Sequence, residues 1–268
     1  MTNGERTITR QALGGQEARF LTHVGSLSSF SLADGRRILG PRRADHVRQF
    51  LDRLQKKGWV ERIKPGRFAV IPLSSSSRNP QIHEFLVAME LVKPAAIAYF
   101  SAMNHHGFTD QLPRTVVVAT DHRVSRPERS ALGFTFRIVS LRKPRFFGLM
   151  TAWVEQRPFV VTDREKTIVD ALDLPRHAGG IGIVTAALRT SWQTLDEARL
   201  REYVVRIGNS AVAKRLGFLM ETLGVGDAHA LREAMMLGAG YSRLDPTLPA
   251  KGVHNRRWGL LVNARVTP

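Results

Sequence analysis

Apolar residues at Ala44, Val47, Phe50, Leu51 and Leu54 fall on one stripe at a 3.6-residue period. That stripe predicts a helix over Pro41–Lys57. Pro41 suits its first turn, where a missing N–H costs nothing, and Gly58 ends it behind Lys56 and Lys57, whose charges suit the negative end of the helix dipole. Two shorter helices are predicted before it. Gly15–Val24 places Ala18, Leu21 and Val24 on one side with Phe20 beside them, and Leu32–Leu39 follows after a Ser-rich turn. Beyond it, Trp59–Ile63 and Phe68–Pro72 read as strands about the turn Lys64-Pro65-Gly66-Arg67. Three helices and a tight hairpin are the layout of a winged helix-turn-helix, so residues 1–73 are expected to form one.

The pattern then breaks. Leu73–Pro80 reads LSSSSRNP, a run that packs poorly, and residues 74–80 are taken as a linker. Residues 81–268 mix periods. Helices are predicted at Gln81–Val92 and Ala95–His105, then strands at Thr115–Thr120, Phe134–Leu141, Ala152–Glu155 and Phe159–Thr162. From Asp163 the period is helical: Arg164–Leu172, Ile181–Arg189, Leu195–Ile207, Ala211–Leu223 and Ala228–Met236, with a final strand within Trp258–Val266. Strands followed by helices argue for an α+β class, a winged helix-turn-helix followed by a larger mixed α/β domain.

Charge changes the picture most. The 268 residues carry 40 Lys+Arg against 23 Asp+Glu, a net charge of +17. Residues 1–73 hold nearly half of that excess. Such a field favours a polyanionic partner. On the Pro41–Lys57 helix the buried stripe leaves Arg42, Arg43, His46, Gln49 and Arg53 outside, where they can read base edges in a major groove. Arg48, Lys56 and Lys57 suit phosphates, and Arg62, Lys64 and Arg67 ring the hairpin tip.

Other chemistry finds little support. Cysteine is absent, which excludes thiol catalysis and Cys-ligated zinc. There is no phosphate-binding GxxxxGK[ST] loop and no GxSxG elbow. His83-Glu84 lacks the second His of a zinc motif, because Val87 stands there. His105-His106 diverge on a helix and read as its end. Gly179-Gly180 reads as a sharp turn into a helix. Asp163, Glu165 and Lys166 lack nuclease spacing, and Asp163 reads as a helix cap. No catalytic, cofactor or metal site is therefore expected. No run is long and apolar enough to span a membrane, and MTNGERTITR has no apolar core for a signal peptide, so a cytoplasmic protein is expected.

Three segments carry a resemblance: IAYFSAMNHHGF at Ile97–Phe108 running through Thr109–Pro113 into TVVVAT, VTDREKTIVDALDLPRHAGG at Val161–Gly180, and the terminal RRWGLLVNARV. Together with a winged helix before them, they resemble the AbiEi antitoxins of AbiE-type abortive-infection systems. The family usually has Arg where Lys166 stands. The resemblance implies an antitoxin that neutralises a nucleotidyltransferase-like toxin, with or without a stable complex. It also implies repression of its own operon at promoter inverted repeats, two copies meeting on double-stranded DNA. The alternatives are a winged-helix transcription factor with a ligand- or protein-binding second domain and, third, a nucleic-acid-processing enzyme.

Overall fold

The computed structural model describes residues 11–25, 27, 29–40, 44–71, 82–154, 156–235 and 238–266. The architecture is mixed α+β, with ten α-helices and three sheets among those residues. The expected linker, residues 74–80, lies outside them.

The amino-terminal part runs α1 (Gly15–Val24), β1 (Ser29–Ser31), α2 (Leu32–Leu39), α3 (Ala44–Lys56), β2 (Val60–Lys64) and β3 (Arg67–Val70). The three strands form an antiparallel sheet in the order β1-β3-β2. Strand β1 stands where the sequence predicts a Ser-rich turn; three residues are too few to show an alternating pattern. The α3 stripe is buried as expected: Val47, Phe50, Leu51 and Leu54 join Phe20, Val24, Phe30 and Phe68 in one cluster. Phe20 meets Phe30 and Phe50 edge-on, with ring centroids 5.5 and 5.2 Å apart. Gly35 allows the close approach of α2 to α3, since a Cβ there would lie 3.3 Å from a Val47 methyl. Ser31 caps α2 by accepting the Asp34 N–H, and Asp34 answers by accepting the Ser31 N–H.

The larger part centres on a six-stranded sheet, β6-β7-β5-β4-β9-β8. Its members are β4 (Ala96–Ile97), β5 (Thr115–Thr120), β6 (Glu128–Ala131), β7 (Phe134–Ser140), β8 (Leu149–Val154) and β9 (Arg157–Thr162). Strand β5 is buried on both faces. Val116 and Val118 face the cluster under helix α4 (Glu84–Leu91), while Val117 and Ala119 face the opposite side with Tyr99 and Val139. A strand covered twice reads as a continuous apolar run, which is why TVVVAT is conspicuous in the sequence.

The predicted helix Ala95–His105 is corrected. Its first residues form β4, hydrogen-bonded to both β5 and β9, and helix α5 begins at Tyr99 and ends at His105. Tyr99 sits in the left-handed region at φ 53 with its ring fully buried. That conformation costs on the order of 1–2 kcal/mol for a residue with a Cβ and separates strand from helix. Local composition favours one continuous helix here; the sheet's demand for a central strand wins.

Helices α6 (Arg164–Asp173), α7 (Ile181–Ser191), α8 (Glu197–Ile207), α9 (Ser210–Leu223) and α10 (Ala228–Ala234) pack into the largest cluster. A small sheet, β10 (Ser242–Arg243), β12 (Leu260–Val262) and β11 (Val253–Asn255), closes over them. Trp258, fully buried, lies on Gly217 of α9 and donates its indole N–H to Glu221 at 2.8 Å.

The two parts share a core. Ile63 of β2 and Ala69 of β3 belong to the same buried cluster as Phe85, Leu86 and Leu91 of α4.

Candidate nucleic-acid interface

Burying the α3 stripe turns the opposite side of the helix outward. His46, Arg48, Gln49, Arg53 and Lys56 are all exposed along it. Arg48 pairs with Asp45 at 3.1 Å, both side chains largely exposed, and the Arg53 guanidinium lies 5.7 Å above the Phe50 ring. Asp45 and Asp52 are the acidic residues on this surface, so the helix carries mixed charge with a cationic excess. Arg42 and Arg43, the expected base readers at its start, lie outside the described residues.

Helix α2 adds two cations beyond the expected contact residues. Arg36 and Arg37 are exposed in its last turn, Arg37 pairing with Asp34 at 3.1 Å. Their signal was available in the sequence: they stand in the last turn of the predicted helix Leu32–Leu39, the helix next before the α3 stripe.

Two expected contact residues are bonded within the chain, and a third is half-buried. Lys57 donates to Glu17 at 2.6 Å and to the Ala12 carbonyl at 3.1 Å, fastening the end of α3 to α1. Arg67 turns to the seam with the larger part, donating from Nε to Glu90 of α4 at 2.8 Å, with Asp34 at 3.9 Å. Glu90 also accepts the Ser29 hydroxyl at 2.9 Å. Lys64 is half-buried beside the same seam; burial lowers its pKa, opposed by Glu90 and reinforced by Lys93, Arg67 and Arg129. Arg62 stays exposed, its guanidinium 5.7 Å from the Phe68 ring. For the two hairpin residues the cause is shared: the hairpin packs its Ile63 and Ala69 on α4, which sets Arg67 against Glu90 and half-buries Lys64 beside it.

The polar cluster near Asp163 is interior scaffold. Asp163 caps α6 by accepting the Lys166 N–H at 2.8 Å and accepts the Tyr203 hydroxyl at 2.8 Å. Burial and that carboxylate push the Tyr203 hydroxyl up to about 12. Glu165, buried, accepts the Asp196 N–H at 2.8 Å. Lys166 is buried and bonded to Asp170, which is itself buried; burial raises the Asp170 carboxyl to about 6 against the pull of Lys166. Asp173 binds Arg145 at 3.1 Å and Asn209 at 2.6 Å.

The other sequence motifs find structural roles as well. His83 caps α4 through Nδ1, accepting the Phe85 N–H at 3.2 Å. His106 follows the last residue of α5, its Nε2 donating to the Thr162 carbonyl at 2.7 Å, and Gly107 turns the chain at φ 73. Gly180, at φ 93, precedes α7, whose first N–H is taken by Asp245 at 2.8 Å. Among the described residues, no group of three His, Asp or Glu side chains is placed to hold a metal ion. Among them too, no helix is long and apolar enough to cross a membrane.

No family model matches the chain, and no curated protein matches it. Among solved structures it is similar to the RV2827C protein from Mycobacterium tuberculosis. The two are 14% identical with a TM-score of 0.70, over 96% of this chain and 94% of that one. At that identity the likeness establishes the fold, and it does so across both the amino-terminal part and the larger part.

Proposed function

We propose that this chain binds double-stranded DNA through α3 as a winged helix-turn-helix protein. We further propose that it serves as the antitoxin of a toxin–antitoxin pair. In this reading it represses its own promoter at inverted repeats, two copies meeting on the DNA, and neutralises a nucleotidyltransferase-like toxin in the cytoplasm.

The observation that carries the DNA reading is the exposed face of α3. Its 13 residues span about 20 Å, and a major groove about 12 Å wide admits such a helix. His46, Gln49 and Arg53 offer base-edge chemistry, while Arg48, Lys56 and the Arg36–Arg37 pair of α2 offer phosphate contacts. The antitoxin reading is supported by the resemblance of the two central blocks. In the fold these blocks meet, Ile97 pairing with Val161 and His106 bonding to Thr162, where the sheet joins the helical part.

A mobility-shift assay with the chain's own promoter fragment and a scrambled fragment at matched salt tests the DNA reading. Specific retardation of the promoter is expected; equal affinity for both overturns specific repression. Co-expression with the product of the adjacent gene tests the antitoxin reading. Rescue of growth is expected, and a toxic neighbour that this chain fails to neutralise overturns it.

A further inference from the structure

The larger part holds a cleft of about 220 Å³ where α5, β5 and β7 meet the turn between α6 and α7. Its lining is strongly biased. Arg114, Arg137, Arg176 and His177 surround it, no lining residue is acidic, and Phe100 and Pro113 form an apolar wall. Arg114 and Arg176 are exposed, and neither forms an ion pair with a carboxylate among the described residues. Arg176 spends its Nε on His177, at 3.2 Å. Arg137 reaches Glu128 at 2.5 Å, a carboxylate 66% exposed that stands outside the cleft.

Arg114 and Arg176 line this cleft with no carboxylate paired to either among the described residues, Arg137 adds a third guanidinium that Glu128 neutralises in part, and an oxyanion relieves the repulsion among them. His177 lines the same cleft, and burial, then Arg176 and Arg137, hold its ring down to about 4, so it stays neutral at pH 7. Forked guanidinium donors match a phosphoryl group better than a single-point anion. The volume lies below the roughly 300 Å³ floor of drug-sized pockets and far above the 10–15 Å³ or so that one water needs. The apolar wall is redundant for a bare inorganic anion and suits a flat organic group beside the phosphate.

We propose that this cleft binds a nucleoside monophosphate, its phosphoryl group on Arg114, Arg137 and Arg176 and its base against Phe100 and Pro113. The proposal is independent of the DNA-binding reading, since the cleft lies in the larger part and shares no residue with α3.

The test is calorimetric titration of the full chain with the four nucleoside 5′-monophosphates, and in parallel with inorganic phosphate and an unphosphorylated nucleoside. Arg114→Ala/Arg176→Ala is expected to weaken nucleotide binding by about tenfold or more, because two charge-assisted contacts are lost. Arg232→Ala/Lys251→Ala, which removes the same charge from exposed sites away from the cleft, is expected to leave it unchanged. The unphosphorylated nucleoside is expected not to bind. Proton NMR supplies a second reading: the His177 ring should titrate at higher pH with the nucleotide bound, because the anion offsets the field of the arginines. Equal weakening in both double variants, or an unmoved His177 titration, overturns the site. Inorganic phosphate binding as tightly as the nucleotide overturns the role given to the apolar wall.

Discussion

At the scale of single residues, a few buried contacts are sensitive to which partner is removed and to the space available. Lys166 and Asp170 form an ion pair inside α6, both side chains essentially without solvent. Removing one partner leaves a charge without compensation, so Lys166→Ala is expected to cost about 3–5 kcal/mol of unfolding free energy. Lys166→Met/Asp170→Leu, which removes both charges, should recover most of it; urea denaturation of the two variants checks this. Gly217 is constrained by space alone. A Cβ there would stand 2.1–2.5 Å from the Trp258 indole, and Gly217→Ala should destabilise by about 1–3 kcal/mol through overpacking, read as a lower Tm. His177 sets a pH dependence. Its pKa is near 6.5 unfolded and about 4 folded, so between those values the unfolded chain binds the extra proton and stability falls as pH falls. The destabilisation caused by His177→Gln should therefore be greatest near pH 7 and shrink toward pH 4, as followed by urea unfolding at a series of pH values.

Helices and strands separate the residues proposed to touch DNA from those that hold the amino-terminal part in place. Gln49→Ala on α3 is expected to cost about 1–3 kcal/mol on the specific site and to relax sequence preference. Arg62→Ala on the hairpin should weaken all DNA alike and lower the salt slope by about one unit, because a single phosphate contact releases about one counterion. Arg67→Ala should behave differently from Arg62→Ala. It removes the charge-assisted bonds to Glu90, each worth about 1.5–3 kcal/mol, so faster hydrogen exchange in β3 and α4 is expected, with little change in salt slope. A full one-unit loss of slope in Arg67→Ala would show that the side chain leaves Glu90 to meet phosphate.

Across the whole molecule, the hairpin and α4 make one unit of the amino-terminal part and the six-stranded sheet. Ile63 and Ala69 are buried with Phe85 and Leu86, and Glu90 gathers Ser29 and Arg67 beside them. A change felt by the sheet thus has a continuous packed route to the hairpin. The proposed nucleotide cleft lies on β5 and β7 of that sheet, two strands whose neighbouring side chains Val116, Val118, Phe136 and Ile138 pack in the same cluster as α4.

Much of this was legible in the residues themselves, wherever the information is local. Periodicity located α1 and α2 with their observed bounds and the buried face of α3, because an amphipathic helix repeats its signal over several turns. The Pro65-Gly66 turn, the apolar run of β5 and the Asp163 cap were readable for the same reason. What tertiary structure alone decided is everything whose partner lies far along the chain. Strands β1, β4 and β6 are short, and their identity comes from the strands beside them. Lys57 and Arg67 look like any exposed cation in the sequence, yet each closes on a carboxylate at least 23 residues away. Arg114, Arg137 and Arg176 are scattered singly, and only the return of β7 beside β5 and the turn after α6 bring them to one cleft. A charge excess could be counted from the chain, but where it is neutralised within the fold and where it is left exposed is set by packing.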